Sequence, residues 1–360
     1  MSLVLCVNPG ATSTKVGLFL DGAAREVRNL RHADEELAAH PRIAGQLELR
    51  LRPVRDFLAG RGVGPGTLAA VAGRGGLLKP LPSGTYRVDA ALLADAERAA
   101  RGEHASNLGG PMAAALAAEH RCPAFVVDPV SVDELTPVAR ISGLAGVERQ
   151  SLAHALNLKA VARRHARAAG RPLAELRLVV VHMGTGVSMA ALEGGRMVDV
   201  VNPQDEGPMS PDRSGGMPVT AVVELCFAPG AERRAVRRRL FGDGGLYSHL
   251  GTRDLAEALG RMERGEEGVR LVLEAMAYQI GKAAAAMAAV LRGKVDALLL
   301  TGGMAHAPWL VAEVRGRVEW IAPVSVYPGE DELLALAEGA ERALSGEEPA
   351  LAYGEAGPAP

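Results

Sequence analysis

Short apolar runs rich in β-branched residues alternate along the chain with longer stretches rich in alanine and leucine. The short runs have the length and composition of buried strands, and the long stretches have the composition of helices. Helices are predicted over Ala90–Arg101, Pro111–His120, Ser151–Ala169, Leu255–Arg264 and Val269–Leu291, the fourth with Asp254 as its N-cap. Strands that alternate with helices predict an α/β fold.

The clearest sign of domain organisation is a near-repeat of one hairpin pattern. Leu3–Val7 and Val16–Leu20 have strand character and flank a turn of small residues. Arg177–Val181 and Val187–Leu192 flank a second turn, which begins at His182, in the same order. Two copies of one pattern predict two similarly built domains, and a chain of 360 residues is long enough to form both.

Composition narrows the classes of function. Apolar residues make up 48% of the chain and the formal net charge is −2, which removes the long-range positive field of a typical nucleic-acid binder. The cysteines Cys6, Cys122 and Cys226 lack CxxC spacing and are too few for a disulfide framework. No signal peptide is recognisable, and the longest apolar run, Ala283–Leu291, is too short to span a bilayer. We therefore expect a cytoplasmic protein without nucleic-acid or membrane partners.

The first turn, from Asn8 to Lys15, contains a glycine, hydroxyl side chains and a lysine. That composition suits a phosphate cradle made of backbone N–H groups, hydroxyl donors and one cation. The turn is not a Walker A loop, because Lys15 begins an alternating strand and not a helix. An ordinary hairpin turn explains the composition equally well. The second hairpin favours a phosphate site, since two facing turns can hold two ends of a phosphate chain.

Two arginines and two histidines are candidates for anion binding. Arg74 and Arg213 lie in glycine-rich loops where they have little packing to do, and a guanidinium suits phosphoryl or carboxylate oxygens. A surface salt bridge is the alternative. His182 ends an apolar strand just before a glycine turn, and His154 lies in a predicted helix. Both histidines are also compatible with structural roles, either packed or capping.

Carboxylates and glycines at the ends of other predicted elements complete the set of candidates. Asp128 follows a strand and Glu332 opens the last helix, so Mg²⁺ or its bound water can reach either side chain. A simple turn at Asp128 and a favourable helix N-terminus at Glu332 explain the same residues. Gly302 and Gly303 follow a strand, where glycine allows the backbone to approach a ligand.

Taken together, these motifs resemble the acetate/butyrate kinase family, which shares a superfold with sugar kinases, Hsp70 and actin. The blocks that carry the resemblance stand in family order at Asn8–Lys15, Gly73–Leu77, His182–Gly186, Asp205–Gly216 and Thr301–Met304. The resemblance implies two duplicated ribonuclease H-like (actin-like ATPase) domains with a nucleotide cleft between them. It places the first at 1–155 plus a returning helix at 331–345 and the second at 156–330. The composition of 346–360, rich in Gly, Pro, Glu and Ala, separately predicts a flexible tail.

The resemblance also implies a role for each candidate residue. Nucleotide phosphates would be held by Asn8, Ser13, Lys15, Gly184 and Gly186, and the adenosine by Gly302 and Gly303. Arg74 and Arg213 would bind the carboxylate of the acid and the transferring phosphoryl group. His154 and His182 would stabilise the phosphoryl group. Mg²⁺ would be supported by Asp128 and by Glu332, with Asp331 as an alternative to Glu332.

Some motifs differ from those of the acetate kinase branch and resemble those of the butyrate kinase branch. The clearest differences are Pro9 after Asn8 and the glycines on both sides of Arg74. The implied activity is transfer of the ATP γ-phosphoryl group to butanoate, a short-chain fatty acid, giving ADP and butanoyl phosphate. An acetate or propionate kinase is the nearest alternative. A sugar kinase, with Asp128 as its base, and a nucleotide-binding switch are more distant alternatives. The expected assembly is a homo-oligomer.

Overall fold

The computed structural model describes residues 1–357 and divides them into two units. Unit 1 comprises Met1–Glu134 and the segment from Asp331 onward, and unit 2 comprises Leu135–Glu330. Each unit contains one mixed sheet and its own apolar core. The chain therefore leaves unit 1, completes unit 2 and returns to unit 1.

The sheet of unit 1 contains parallel and antiparallel pairs. Its strands are β1 (Leu3–Pro9), β2 (Ser13–Leu20), β3 (Ala23–Arg31), β4 (Ala70–Arg74), β5 (Thr85–Arg87), β6 (Ala124–Val127) and β12 (Leu351–Ala352). They lie in the order β12-β5-β6-β4-β1-β2-β3, and β4 is parallel to both β1 and β6. The helices are α1 (Asp34–Ala38), α2 (Leu47–Ala59), α3 (Ala90–Arg98), α4 (Gly109–His120) and α13 (Glu332–Ser345), with 3-10 turns at Ile43–Gln46 and Ala105–Leu108.

The sheet of unit 2 is built in the same way. Its strands are β7 (Arg177–Met183), β8 (Val187–Glu193), β9 (Arg196–Val201), β10 (Ala297–Gly302) and β11 (Val324–Pro328), in the order β11-β10-β7-β8-β9. The helices are α5 (Pro137–Arg140), α6 (Ala155–Ala169), α7 (Val219–Phe227), α8 (Arg233–Phe241), α9 (Gly245–Leu250), α10 (Leu255–Glu263), α11 (Val269–Val290) and α12 (Pro308–Val318), with 3-10 turns at Leu173–Glu175 and Gly303–His306.

The two sheets share a five-strand plan. In each, an antiparallel meander (β1-β2-β3 or β7-β8-β9) is extended by two parallel strands (β4 and β6, or β10 and β11) beside its first strand. Even the irregularities correspond, because the pairing register shifts at Leu18/Phe19 in one meander and at Ala191/Leu192 in the other. The predicted duplicated α/β fold is confirmed.

The predicted helices exist, with small changes at their ends. Asp254 caps α10 as expected, since its carboxylate accepts hydrogen bonds from the N–H groups of Ala256 and Glu257. The largest change is at α6, which begins at Ala155 and not at Ser151. His154 therefore stands at the N-cap position of α6 and not within the helix.

The boundary between the units differs from the predicted one at residue 155. The structure places 135–155 in unit 2, because long-range contacts tie this segment to β9. The N–H of Thr136 donates to the carbonyl of Val198 at 3.1 Å. Arg149 forms ion pairs with Asp199 at 2.9 Å and Glu206 at 2.7 Å. None of these partners is close to 135–155 in sequence.

The predicted flexible tail is also corrected for most of its length. Strand β12 pairs with β5, and the Tyr353 side chain is only 1% exposed. The Tyr353 hydroxyl donates to Asp95 at 2.5 Å and accepts from the N–H of Lys79 at 3.2 Å. Residues 346–357 thus include an ordered attachment to unit 1. Residues 358–360 of the predicted tail lie outside the described residues.

Helix α13 packs on the sheet of unit 1 against β1, β4 and β6. The carbonyl of Gly339 accepts a hydrogen bond from Thr85 Oγ1 at 3.1 Å, and a Cβ added at Gly339 would lie 2.4 Å from Val127 Cγ1. A glycine at this position therefore allows the helix to approach β6 closely. Within residues 1–357, no helix combines the length and apolar character needed to cross a membrane.

Candidate functional site

Three predicted site residues lie at the same edge of the sheet in unit 1. Asn8, Arg74 and Asp128 stand at or just beyond the carboxyl ends of the neighbouring parallel strands β1, β4 and β6. Open α/β sheets bind ligands at this edge, because the polar residues that follow the strands converge there. The alternating pattern of strands therefore brings together residues from three distant parts of the sequence.

Arg74 contacts Asn8 and Glu332. Its Nη1 atom lies 2.8 Å from Glu332 Oε1 and 3.5 Å from Asn8 Oδ1. The Asn8 amide in turn donates a hydrogen bond to the other carboxylate oxygen of Glu332. The Arg74 guanidinium thus holds a carboxylate of the protein itself in this structure.

The glycines around Arg74 are explained by close packing. A Cβ added at Gly73 would lie 2.1 Å from the carbonyl oxygen of Gly109, and one at Gly76 would lie 2.1 Å from Asn107 Oδ1. A Cβ added at Gly75 would come within 2.3 Å of the Pro129 side chain. A side chain at Gly73 would push the start of α4 away from β4, and side chains at Gly75 and Gly76 would displace Pro129 and Asn107. The glycines therefore fix the position of the Arg74 backbone.

The Asp128 carboxylate supports a local turn. Its Oδ1 atom accepts hydrogen bonds from Ser83 Oγ at 2.5 Å and from the N–H of Gly84 at 2.8 Å, and the side chain is buried. Asp128 has a left-handed backbone conformation with φ of 37°. The nearby charge of Asp128, after burial itself, raises the pKa of Tyr86. These contacts fit a residue that holds the 83–84 turn.

Magnesium, which the resemblance implies, fits these carboxylates only in part. No group of three or more His, Cys, Asp or Glu side chains within residues 1–357 is arranged to hold a metal ion. The Oδ1 atom of Asp128 is engaged by Ser83 and Gly84, and Glu332 is engaged by Arg74. Mg²⁺ commonly keeps several waters and binds mainly to nucleotide phosphates, so one such carboxylate suits its outer shell.

Ser13 and Lys15 belong to strand β2 and not to the turn. The turn itself closes at Gly10, whose N–H donates to the carbonyl of Ser13 at 2.8 Å. Lys15 is exposed and lies opposite Asn8 in the antiparallel ladder. The turn is therefore shorter than predicted, and Asn8, Ser13 and Lys15 lie on the two strands that it joins.

In unit 2, two predicted site residues are in direct contact. The imidazole rings of His154 and His182 stack with centroids 4.0 Å apart and an interplanar angle of 18°. His154 Nδ1 lies 2.8 Å from Ser188 Oγ, and Ser188 faces His182 across the β7–β8 ladder. Two cationic rings at this distance would repel each other, by about 4 kcal/mol at an effective dielectric constant of 20.

Hydrogen bonds around His182 determine which ring nitrogen carries the proton. Asn157 Nδ2 donates to the carbonyl of Glu330 at 2.8 Å, which leaves Asn157 Oδ1 facing His182 Nδ1 at 2.9 Å. An amide oxygen can only accept, so His182 Nδ1 is the protonated nitrogen. His182 Nε2, which lies 3.7 Å from Glu330 Oε1, then donates to an anion only when the ring is an imidazolium.

The glycines of the second turn make room for the charged side chains. A Cβ added at Gly184 would lie 2.7 Å from His182 Nε2 and 3.0 Å from Glu330 Oε1. A Cβ added at Gly186 would lie 2.5 Å from Arg213 Nη1. Arg213 and His182 therefore both lie against this turn, which joins β7 to β8. The predicted residues of the turn and of the later loop form one cluster.

Arg213 has a weak electrostatic partner. Asp212 Oδ1 lies 3.7 Å from Arg213 Nε, which is beyond hydrogen-bonding distance. Burial lowers the pKa of Arg213 and Asp212 partly offsets this effect, whereas burial raises the pKa of Asp212. A half-buried guanidinium of this kind is stabilised by an added anion.

Gly302 and Gly303 differ in how strongly the fold requires them. Gly302 has φ of 95°, and an added Cβ would lie 2.3 Å from the carbonyl oxygen of Met183. Its N–H and carbonyl form reciprocal 3.0 Å hydrogen bonds with Gly329. Gly303 has open space around its Cβ position. Gly302 is thus required for strand packing, and the adenosine role of both glycines stays a prediction.

Sequence reasoning missed Asn157, Ser188 and Glu330. Asn157 stands three residues after His154 at the start of α6, and Ser188 is a buried polar residue within an apolar strand. Both residues could have been found from the sequence. Asn157 has helical spacing from the candidate His154, and Ser188 is a polar residue that interrupts an apolar run. Glu330 had no comparable signal, because only the fold brings it to His182.

A known protein family matches most of unit 2. Residues 144–320 match the acetokinase family. The matched segment contains every candidate of unit 2, namely His154, His182, Gly184, Gly186, Arg213, Gly302 and Gly303. The candidates of unit 1, including Arg74 and Glu332, lie outside it.

Solved structures resemble the fold over nearly the whole chain. An acetate kinase from Porphyromonas gingivalis is 20% identical, with a TM-score of 0.77, over 95% of this chain and 99% of that chain. A propionate kinase from Francisella tularensis subsp. tularensis is 17% identical, with a TM-score of 0.76 and coverage of 94% and 99%. An acetate kinase from Entamoeba histolytica is 14% identical, with a TM-score of 0.75 and the same coverage. The fold is the two-domain actin-like ATPase fold, and residues 144–320 match the acetokinase family.

Proposed function

We propose that this protein is a butyrate kinase, which transfers the γ-phosphoryl group of ATP to butanoate or a closely related branched acid. The observation that carries the proposal is the His154–His182 stack beside Arg213, inside the segment that matches the acetokinase family. The products are ADP and an acyl phosphate. Phosphoryl transfer depends mainly on positioning and on stabilisation of negative charge, and this cluster supplies cationic donors for that charge.

The acceptor in this reaction needs no general base. A carboxylic acid is already ionised at neutral pH, so its oxygen attacks phosphorus directly and no proton leaves in the step. Arg74 is the residue proposed to orient the acid, because its guanidinium holds the carboxylate of Glu332 in this structure. A substrate carboxylate would replace Glu332 as the partner of Arg74.

The residues of unit 2 are proposed to bind the transferring group. Arg213 donates N–H groups to phosphoryl oxygens, and His182 donates from Nε2 as the imidazolium, which Glu330 stabilises electrostatically. Glycine at 184 and 186 allows these donors to lie directly against the turn. Mg²⁺, supported by Asp128 and by Glu332 or Asp331, would neutralise charge on the nucleotide phosphates.

Preference for butanoate is supported by the sequence motifs Asn8-Pro9-Gly10 and Gly73-Arg74-Gly75-Gly76. An acetate or propionate kinase is the second candidate, because the solved structures described above carry those names. One methylene in an apolar pocket changes specificity by only about 1–3 kcal/mol, so the two candidates differ by a small change in pocket shape.

The test is Mg-ATP turnover with hydroxylamine trapping of the acyl phosphate, using acetate, propionate, butyrate, isobutyrate and valerate. The largest kcat/KM for butyrate or isobutyrate would support the proposal. A maximum at acetate or propionate would replace butyrate kinase with the second candidate. Absence of hydroxamate with every acid, from protein that binds ATP, would overturn the carboxylate kinase proposal itself. The homo-oligomeric state and the cytoplasmic location stay predictions.

A further inference from the structure

Arg50 is a buried cation that the proposed reaction does not use. It lies on α2 among the buried residues Leu51, Val54 and Phe57, and its side chain is fully buried. Burial lowers its pKa. An arginine in this environment loses hydration, which is costly unless its five N–H donors find acceptors. Its partners therefore indicate what it does.

The acceptors of Arg50 are mainly carbonyl oxygens of the first turn. Its guanidinium donates to the carbonyl of Gly10 at 2.8 Å, of Ala11 at 3.0 Å and of Ser13 at 3.3 Å. The remaining donors reach the side-chain oxygens of Gln46 and Thr14. All of these acceptors are neutral. The turn therefore supplies hydrogen bonds to Arg50 but no negative charge that would neutralise its positive charge.

A second contact secures the remaining carbonyl of the turn. The backbone N–H of His32 donates to the carbonyl of Thr12 at 3.0 Å, and His32 Nε2 lies 2.9 Å from Thr14 Oγ1. Burial, followed by the charge of Arg50, lowers the pKa of His32, which favours its neutral form. The carbonyls from Gly10 to Ser13 are therefore all held by hydrogen bonds from the protein.

Held carbonyls determine the direction of the neighbouring N–H groups. In a trans peptide the C=O and the following N–H point in opposite directions. With the carbonyls of Gly10 and Ala11 bound to Arg50, the N–H groups of Ala11 and Thr12 point away from α2. Ala11 and Thr12 are exposed, so these donors lie on the open side of the turn. Successive N–H groups that point the same way form an anion site.

We propose that Arg50 is a positioning residue that fixes the Asn8–Lys15 turn in its anion-binding form and adds a buried positive charge behind it. The proposal rests on the proposed function in one respect, because it takes a nucleotide phosphate as the anion. Arg50 does not touch the ligand. It acts through the backbone of Gly10, Ala11 and Ser13 and through its electrostatic field.

The experiment measures ligand affinity and thermal stability for the wild-type chain and for Arg50→Lys, Arg50→Gln and Arg52→Gln. Arg52 is the matched control, because it lies on the same helix but its side chain is 68% exposed. The ligands are Mg-ADP, pyrophosphate and adenosine. Pyrophosphate tests the turn without the nucleoside, and adenosine tests the nucleotide site without phosphates.

The expected result is a loss of Mg-ADP and pyrophosphate affinity of about tenfold or more in both Arg50 variants, with adenosine affinity within about twofold of wild type. A lysine keeps the charge but cannot reach three carbonyls at once, so Arg50→Lys should restore only part of the affinity. The Arg52→Gln variant should bind all three ligands like the wild type. A global folding defect would instead weaken adenosine and phosphate ligands together.

Three outcomes separate this proposal from the proposed function. Folded Arg50 variants with wild-type pyrophosphate and Mg-ADP affinity would overturn the role of Arg50 and leave the kinase reaction untouched. Pyrophosphate binding that depends on Arg50, in a chain that forms no acyl phosphate, would support the role of Arg50 and overturn the kinase proposal. A wild-type chain that binds neither pyrophosphate nor Mg-ADP would overturn both.

Discussion

The Nη1 atom of Arg74 lies 2.8 Å from the Oε1 atom of Glu332, so the guanidinium proposed to bind the acid already holds a carboxylate of the protein itself. Arg74 ends β4 and its side chain is 25% exposed, whereas Glu332 begins α13 and its side chain is 12% exposed. The substrate must compete with Glu332 for the same donor.

Glu332→Gln should lower the KM for the carboxylate about threefold to tenfold, because the neutral amide competes less strongly for Arg74. Steady-state kinetics at saturating Mg-ATP would measure the change. Glu347→Gln, an exposed site after the same helix, is the control and should leave the KM unaltered. A KM in Glu332→Gln that equals or exceeds the wild-type value would contradict a competitive role for Glu332.

Arg213→Ala should lower kcat about 100-fold or more, which is the size of effect seen when a preorganised donor to a developing negative charge is removed. Arg213→Lys should recover only part of this loss, since lysine lacks the planar fork. Arg234→Ala on exposed α8 is the control for removal of a positive charge from the same unit. Hydroxamate formation measures all three, and near-normal kcat in Arg213→Ala would refute the assignment.

Asn157→Leu should lower kcat about tenfold while both KM values change less than about twofold, because Asn157 orients His182 and does not bind substrate. Removal of the Oδ1 acceptor also releases the constraint on the imidazole tautomer. The ¹⁵N chemical shifts of His182 should therefore change from a protonated Nδ1 to a mixture of tautomers. A variant with wild-type kcat and unchanged shifts would show that the 2.9 Å contact is not important.

Gly339→Ala should decrease the free energy of unfolding by about 1–3 kcal/mol, because its methyl group would collide with Val127 between α13 and β6. Gly316→Ala is a matched control within α12, where an added Cβ meets no atom within 4 Å. That control should be stabilised by about 0.5–1 kcal/mol through helix propensity. Urea unfolding compares the two variants, and equal shifts of the same sign would disprove close packing at Gly339.

Tyr353→Phe should change how stability depends on pH above pH 10. Burial, followed by the hydrogen bond to Asp95, raises the pKa of Tyr353 above its usual value near 10. The unfolded chain therefore loses this proton first, and the stability that the neutral phenol contributes is lost as pH rises above about 10.

Urea unfolding at pH values from about 9 to 11 would measure this dependence. The wild-type free energy of unfolding should fall more steeply than that of Tyr353→Phe. Tyr278→Phe, at a half-exposed tyrosine, should follow the wild-type slope. Identical slopes for all three proteins would mean that Tyr353 is not buried in solution.

Much of the fold was predictable because its strands, helices and hairpins are determined by patterns of neighbouring residues. The near-repeat around Asn8 and His182 predicted the duplication, since each hairpin is determined by neighbouring residues. The boundary at residue 134 was not predictable, because it depends on the pairing of Arg149 with residues some fifty positions later. Strand β12 was missed for the same reason, since its partner β5 lies far away in sequence.

The candidate residues were predictable where their chemistry is unusual for their position. Arginines among glycines and a histidine at a strand end stand out in the sequence, and the structure brings His154, His182 and Arg213 together around one turn. Arg50 was invisible because charged side chains on helices usually face solvent. Its signal is its place in the apolar stripe that includes Leu47, Leu51 and Val54.

The return of α13 to unit 1 affects how the protein folds during synthesis. Residues 135–330 form a continuous unit that emerges from the ribosome ahead of α13. The sheet of unit 1 is translated first but lacks its covering helix, so the apolar side chains that α13 buries stay uncovered until α13 emerges. Unit 2 can therefore reach its native core first, although it is second in sequence. Chaperone protection should be needed most by the earliest part of the chain.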